Sequence, residues 1–169
     1  MSGKNRKVPL RRREFMDEVK RVCEAALNVD TGEMRTRSTM NLLKVHFNPN
    51  FRIHYELMIS AEKGIIEVGL HFEDGPESTA RLLEHFDRHV LEIKHQLGPN
   101  FEIERWTRSW GHVFETHEIE ALTEGFARRL GLRMVEIIEV LQPLLDDATG
   151  IGLVSETPRP GSGRRRFRR

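Results

Sequence analysis

Residues 51–77 read FRIHYELMISAEKGIIEVGLHFEDGPE, and this stretch decides the fold. Phe51, Ile53, Tyr55, Leu57 and Ile59 alternate with Arg52, His54 and Glu56. Beyond Glu62-Lys63-Gly64, Ile66, Val68, Leu70 and Phe72 alternate with Glu67, Gly69, His71 and Glu73. Successive side chains of a strand point to opposite faces. Each run therefore predicts a strand with one apolar and one polar face, and the short glycine-bearing link predicts an antiparallel hairpin. A strand buried on both faces would read as a continuous apolar run instead. Asp74-Gly75-Pro76-Glu77 then opens a helix, with Asp74 as N-cap, Glu77 three residues on and the proline in the first turn.

Upstream, Leu43, Val45 and Phe47 alternate toward the turn Asn48-Pro49-Asn50, which predicts another strand. Phe15, Val19, Val22 and Ala26 share one helical face, so a helix is predicted over about 9–28, started by Pro9. Arg35 to Ser38 reads as loop. Downstream, Leu82, Leu83, Phe86, Val90, Ile93 and Leu97 form the stripe of one helix that Gly98-Pro99 stops. Phe101 and Ile103 begin a strand that bends near Ser109-Trp110-Gly111. A last helix is predicted over about 117–147, carrying Ile119, Leu122, Phe126, Leu130, Met134, Ile137, Leu141 and Leu145, and Gly125 and Gly131 leave room for a kink or a break near 131. The order α-β-β-β-α-β(β)-α predicts an α+β fold: one antiparallel sheet of four or five strands with helices packed on one face. Residues 1–8 read as a disordered basic arm, 9–147 as a single domain, and 148–169 as a flexible Arg-rich tail.

The chain of 169 residues is 38% hydrophobic and 31% charged, a soluble globular composition. Its single cysteine, Cys23, excludes an intramolecular disulfide and any site built from several cysteines, and it reads as a packing residue in a reducing compartment. No apolar run approaches the roughly 20 residues that cross a bilayer, and no apolar segment follows the basic N-terminus. The expectation is a cytoplasmic protein that does not engage a membrane. GxGxxG, P-loop and GxSxG patterns are all missing, so no cofactor is expected and the reading leans away from an enzyme. The net charge of +1 hides an asymmetry. Residues 1–13 and 159–169 hold twelve of the 27 Lys and Arg and no acid, which leaves 15 against all 26 Asp and Glu between them and puts the body at −11.

Those basic ends point to nucleic acid or another polyanion, with Arg11, Arg12, Arg13, Arg164, Arg165, Arg166, Arg168 and Arg169 as phosphate contacts and Phe167 as one stacking group. Trp106, Arg108, Trp110 and Phe114, with Arg105 and His112, form an aromatic strand suited to the core, to self-association or to ligand contact. His85, His89 and Glu92 have the helical spacing of a metal-ligand set. Arg52, His54, Glu56, Glu67, His71, Glu73, Glu102 and Glu104 occupy the polar strand faces. There a meander gathers imidazoles beside carboxylates, either for acid–base work or as a wet outer face.

Residues from about 54 to 145 resemble the uncharacterised domain often attached to, or encoded beside, restriction-type nucleases. The similarity lies in His54-Tyr55-Glu56-Leu57, Ile66-Glu67-Val68, the helix closing Ile93 to Gly98, Phe101-Glu102-Ile103-Glu104-Arg105-Trp106, and the closing Leu141-Gln142-Pro143-Leu144. The resemblance implies a DNA-associated accessory or recognition module and transfers no catalytic residue. The element order is also similar to that of the small dimeric chaperones of bacterial secretion. The leading expectation is a non-enzymatic, nucleic-acid-associated binding module, homo-oligomeric through its folded core. The alternatives are a homodimeric protein-interaction or chaperone-like module using the aromatic strand and last helix, and a metal-dependent hydrolase.

Overall fold

In the computed structural model, which describes residues 8–27, 32–155 and 157, the chain runs α1 (Arg12–Ala26), β1 (Arg35–Ser38), β2 (Leu42–His46), β3 (Ile53–Ser60), β4 (Ile65–Phe72), α2 (Pro76–Arg88), α3 (Val90–Leu97), β5 (Glu102–Arg105), β6 (Gly111–Glu118) and α4 (Glu124–Gly150). The strands form one antiparallel sheet in the order β1-β2-β3-β4-β6-β5. The predicted hairpin is its centre, with β3 and β4 in register from Ile53↔Phe72 to Ser60↔Ile65. One set of alternating residues, Tyr55 and Leu57 with Val68, Leu70 and Phe72, shares a core with Phe15, Phe86, Met134 and Ile138 of the helices. Helices therefore cover one face and leave the other without a helical layer, as the period-2 pattern requires.

The sheet has six strands rather than four or five, because residues 35–38 pair with β2 from Arg35↔His46 to Ser38↔Leu43. Arg-Thr-Arg-Ser contains no apolar residue, so this edge strand leaves no hydrophobic signal. The first helix starts at Arg12, not Pro9: the Leu10 amide donates to the Leu122 carbonyl at 2.6 Å, which pins the preceding residues to the body. The long predicted helix after Asp74 is two helices that meet at His89 (φ −103°, ψ 9°), and its N-cap is Gly75 at φ +91°. The Asp74 carboxylate instead accepts from Asn50 Nδ2 at 3.1 Å. Residues 111–118 are strand, so the last helix begins at Glu124, where the Thr123 hydroxyl accepts the Phe126 amide at 3.2 Å. It runs to Gly150. The fold also continues past 147: Val154 is buried, and Asn50 Nδ2 donates to the Ser155 carbonyl at 2.9 Å. Most of the predicted arm and the Arg-rich end of the predicted tail lie outside the described residues.

No break occurs at Gly131, which sits within the continuous α4. A Cβ at this position would lie 2.8 Å from Cβ of Val22 and 3.0 Å from the Val19 carbonyl. The glycine thus admits α1 into contact. Gly131→Ala should therefore lower the thermal midpoint, with overpacking of about 1–3 kcal/mol exceeding the helix-propensity gain of about 1 kcal/mol. Circular dichroism melting checks this, and an unchanged or raised midpoint contradicts it. Cys23 is fully buried on α1, and burial pushes its thiol up to about 12. That fits packing rather than nucleophilic use.

A candidate metal centre on the open sheet face

The strand parity that sends Tyr55 and Leu70 inward sends His54, Glu56, Glu67 and His71 outward. Register then aligns them. His54 stands opposite His71, and His71 opposite His112 of β6. The three imidazoles form a row across three strands, with ring centroids 5.9 Å apart for His54 and His71 and 5.2 Å for His71 and His112. Although they lie on the face without helices, they are 1%, 1% and 4% exposed. Trp106 roofs part of the row, stacking on His112 at 5.8 Å and 13° and meeting His71 edge-on at 6.2 Å. Phe114 packs against the same His112 ring, 3.8 Å away at 17°. It is buried, not a surface group.

Two groups of side chains in this row have metal-ligating atoms close together, and they share His71. The first is His54, Glu56, His71 and Glu73. Its carboxylates already hold a cation: Lys44 Nζ lies 3.1 Å from Glu56 and 3.2 Å from Glu73. The His54 ring is fixed by its Nδ1, which donates to the Phe51 carbonyl at 2.9 Å, while Nε2 faces Glu56 at 3.2 Å. This group reads as an ion-pair network closed by Lys44.

The second group is Glu67, His71 and His112. His112 Nδ1 donates to Glu67 Oε1 at 3.0 Å, and His71 Nε2 lies 3.2 Å from the same oxygen. The latter approach is out of line for a hydrogen bond, so His71 Nε2 is buried without a partner; so is His112 Nε2, 3.6 Å from Glu104. A buried polar atom without a partner costs about 1–3 kcal/mol and calls for an explanation. For His71 Nε2 an ion supplies one. Neighbouring ligand atoms on a tetrahedral ion with bonds of 2.0–2.1 Å stand roughly 3.3 Å apart, close to the 3.2 Å of His71 Nε2 and the 3.0 Å of His112 Nδ1 from Glu67 Oε1. An ion there takes Nδ1 of His112 and leaves its Nε2 facing Glu104.

The electrostatics agree. Burial pushes Glu67 up, but its contacts with His112 and His71 outweigh it and hold the carboxyl at about 2. Burial likewise pushes Glu56 up, while the His54 bond and the charges of His71 and Lys44 hold it at about 2. Both carboxylates are therefore ionised wherever a divalent cation would bind.

The helical set His85, His89 and Glu92 lies close together but does not form a ligand group. His85 faces α4 and donates from Nε2 to the Leu144 carbonyl at 2.9 Å, and the chain breaks between helices at His89. His89 lies 3.2 Å from Glu92, and its ring stands 5.2 Å from that of His85 at 54°. Among the described residues, the ligand groups that assemble are the two on the sheet. Trp106 and Trp110 are 47% and 40% exposed, and Arg108 is exposed beside them. Arg11, Arg12 and Arg13 are exposed around the start of α1, with Arg12 Nη1 donating to Asn41 at 3.1 Å. Arg164, Arg165, Arg166, Arg168 and Arg169 lie outside the described residues. No helix among the described residues is long and apolar enough to cross a membrane. Set beside known proteins, the chain matches no family model, no curated protein and no solved structure.

Proposed function

We propose that the protein binds a zinc-class divalent ion through Glu67, His71 and His112, and that this centre serves hydrolytic chemistry. The observation that carries the reading is the buried His71 Nε2 without a hydrogen-bond partner, 3.2 Å from a Glu67 oxygen that His112 Nδ1 reaches at 3.0 Å. Two imidazoles and a carboxylate suit zinc and neighbouring first-row ions. Three protein ligands leave a position for water, and a bound ion there acts as a Lewis acid and lowers the pKa of that water. Elemental analysis of untagged protein, with zinc titration of the metal-free form, tests this. About one equivalent per chain is expected, with Glu67→Gln and His112→Ala each weakening binding at least about tenfold and His85→Ala leaving it unchanged. Absence of stoichiometric uptake overturns the reading.

A second reading is favoured by charge: twelve cationic residues flank a body at −11. The Arg-rich ends then hold a polyanion, as expected of a nucleic-acid-associated module. Affinity of the full chain for nucleic acid should fall roughly 10³-fold or more between about 50 and 200 mM salt, as six to ten phosphate contacts require. Replacing the five arginines of 164–169 by glutamine should flatten that dependence. A slope unchanged by the replacement refutes their role.

A further inference from the structure

We infer that the histidine row contains a second cation position, formed by His54, Glu56 and Glu73, and that the Lys44 ammonium is its resident, so that the centre takes one divalent ion and not two. The count of one rests on the metal reading above. The second position rests on separate geometry.

Register places Lys44 of β2 opposite Glu56 of β3. Glu73 follows β4 directly, and its backbone amide donates to the Arg52 carbonyl at 2.8 Å, which holds it beside the start of β3. Three ligand atoms converge there. His54 Nε2 lies 3.2 Å from Glu56 Oε2 and 3.8 Å from Glu73 Oε1. Lys44 Nζ lies 3.1 Å and 3.2 Å from the same two oxygens. One imidazole nitrogen and two carboxylate oxygens at such separations also suit a zinc-class ion, whose ligand atoms stand roughly 3.3 Å apart. The far side of the His54 ring agrees. Its Nδ1 donates to the Phe51 carbonyl at 2.9 Å. That is the outer contact which orients a metal-bound imidazole and leaves Nε2 to the ion. A cation, the ammonium, thus already sits on the atoms that would ligate an ion.

Charge sets the count. Glu56, Glu67 and Glu73 bring three carboxylates into the row, and Lys44 brings one ammonium. Imidazoles that ligate an ion are neutral. Three carboxylates less one ammonium leave the charge of a single divalent ion. Glu104, with 60% of its side chain exposed, is screened by water and does not enter this balance. A second divalent ion beside Lys44 would leave uncompensated positive charge in a largely buried site, which is costly. Lys44 has no easy way out, because Arg37 of the edge strand stands directly opposite it on the same face. Like charges placed opposite one another across strands are unfavourable. Turning outward therefore exchanges two carboxylates for a guanidinium. Lys44 is on this account the residue that decides how many ions the centre accepts.

The test loads the metal-free full chain with excess zinc, removes unbound metal by gel filtration and counts what remains by elemental analysis. The parent should retain one equivalent. Lys44→Met should retain two, and adding His54→Ala to it should return the count to one. Lys44→Arg keeps a cation in place and should stay at one. Metal-free Lys44→Met strands the buried Glu56, so its thermal midpoint should fall below the parent's. Zinc should then raise that midpoint by more than it raises the parent's, because two ions bind the folded state. The inference is overturned by two equivalents in the parent, by no gain of an equivalent in Lys44→Met, or by a second equivalent that survives His54→Ala. A Lys44→Met chain that zinc does not restore to the folded state also overturns it, since the ion should replace the ammonium. One equivalent in both parent and Lys44→Met rejects this inference alone. None in the parent with one in Lys44→Met rejects the Glu67, His71 and His112 reading alone, and none in either rejects both.

Discussion

Gly69→Ala is expected to cost about 3 kcal/mol or more, enough to leave much of the protein unfolded. Gly69 lies in the middle of β4, opposite Phe114 of β6. An added Cβ would meet the Val113 carbonyl oxygen at 2.2 Å, Cα of Phe114 at 2.6 Å and its Cβ at 2.7 Å. Two of these are backbone atoms of the neighbouring strand, which cannot swing aside as the end of a side chain can. Relief requires β6 to separate from β4, which also displaces His112 from His71. Urea denaturation should show the loss directly. Gly64→Ala is the control: its φ of +68° strains an alanine, but a Cβ there meets nothing within 4 Å. Its cost should stay near about 1 kcal/mol. Equal midpoints for the two variants would show that strand spacing at Gly69 adapts, contrary to this account.

Arg133→Ala should rank beside it, at about 3–5 kcal/mol, because it strands a buried carboxylate. Glu115 of β6 points to the helical side, where Arg133 of α4 grips it bidentately: Nε to Oε1 at 2.7 Å and Nη2 to Oε2 at 2.8 Å. The same guanidinium donates to Glu136 at 2.8 Å and to the Leu97 carbonyl, joining β6, α3 and α4. Burial pushes Glu115 up, but the Arg133 bond and the His117 bond hold it at about 2, below its ordinary 4.5. A carboxyl depressed by folding stabilises above its unfolded value, and the contribution is lost as pH falls toward the folded value. The gap between parent and Arg133→Ala should therefore be widest above about pH 4.5 and narrow as pH drops toward 2. Adding Glu115→Gln to Arg133→Ala should recover part of the loss at neutral pH. A gap independent of pH would place the cost in packing of the arginine stem instead. Arg133→Lys keeps the charge without the fork and should fall between the two.

Much of this was readable from alternation. Ile53 to Ile59 and Ile66 to Phe72 specify both the central hairpin and its polar face. A meander therefore already brings His54, Glu56, Glu67 and His71 to one side. His112 escaped that grouping because β6 pairs with β4 while β5, earlier in sequence, goes to the edge. Chain order carries no trace of that choice. The 3.6-residue stripe was informative where it meets the core and misleading at its flank. Its apolar positions continue smoothly from Phe86 through Val90 and Ile93, so nothing marks the break at His89. His85 and His89 have ligand spacing, yet one is committed to the Leu144 carbonyl across a helix interface that spacing does not encode. Residues 35–38 left no signal at all, since an edge strand with both faces wet needs no apolar residue.

The lone cysteine has a practical consequence. Because Cys23 is fully buried and its thiolate is suppressed, a water-soluble thiol reagent reaches it only through an opening of the α1 region. The natural chain thus carries its own stopwatch. When closing outpaces labelling, the labelling rate measures how often that part of the molecule is open, without any introduced probe.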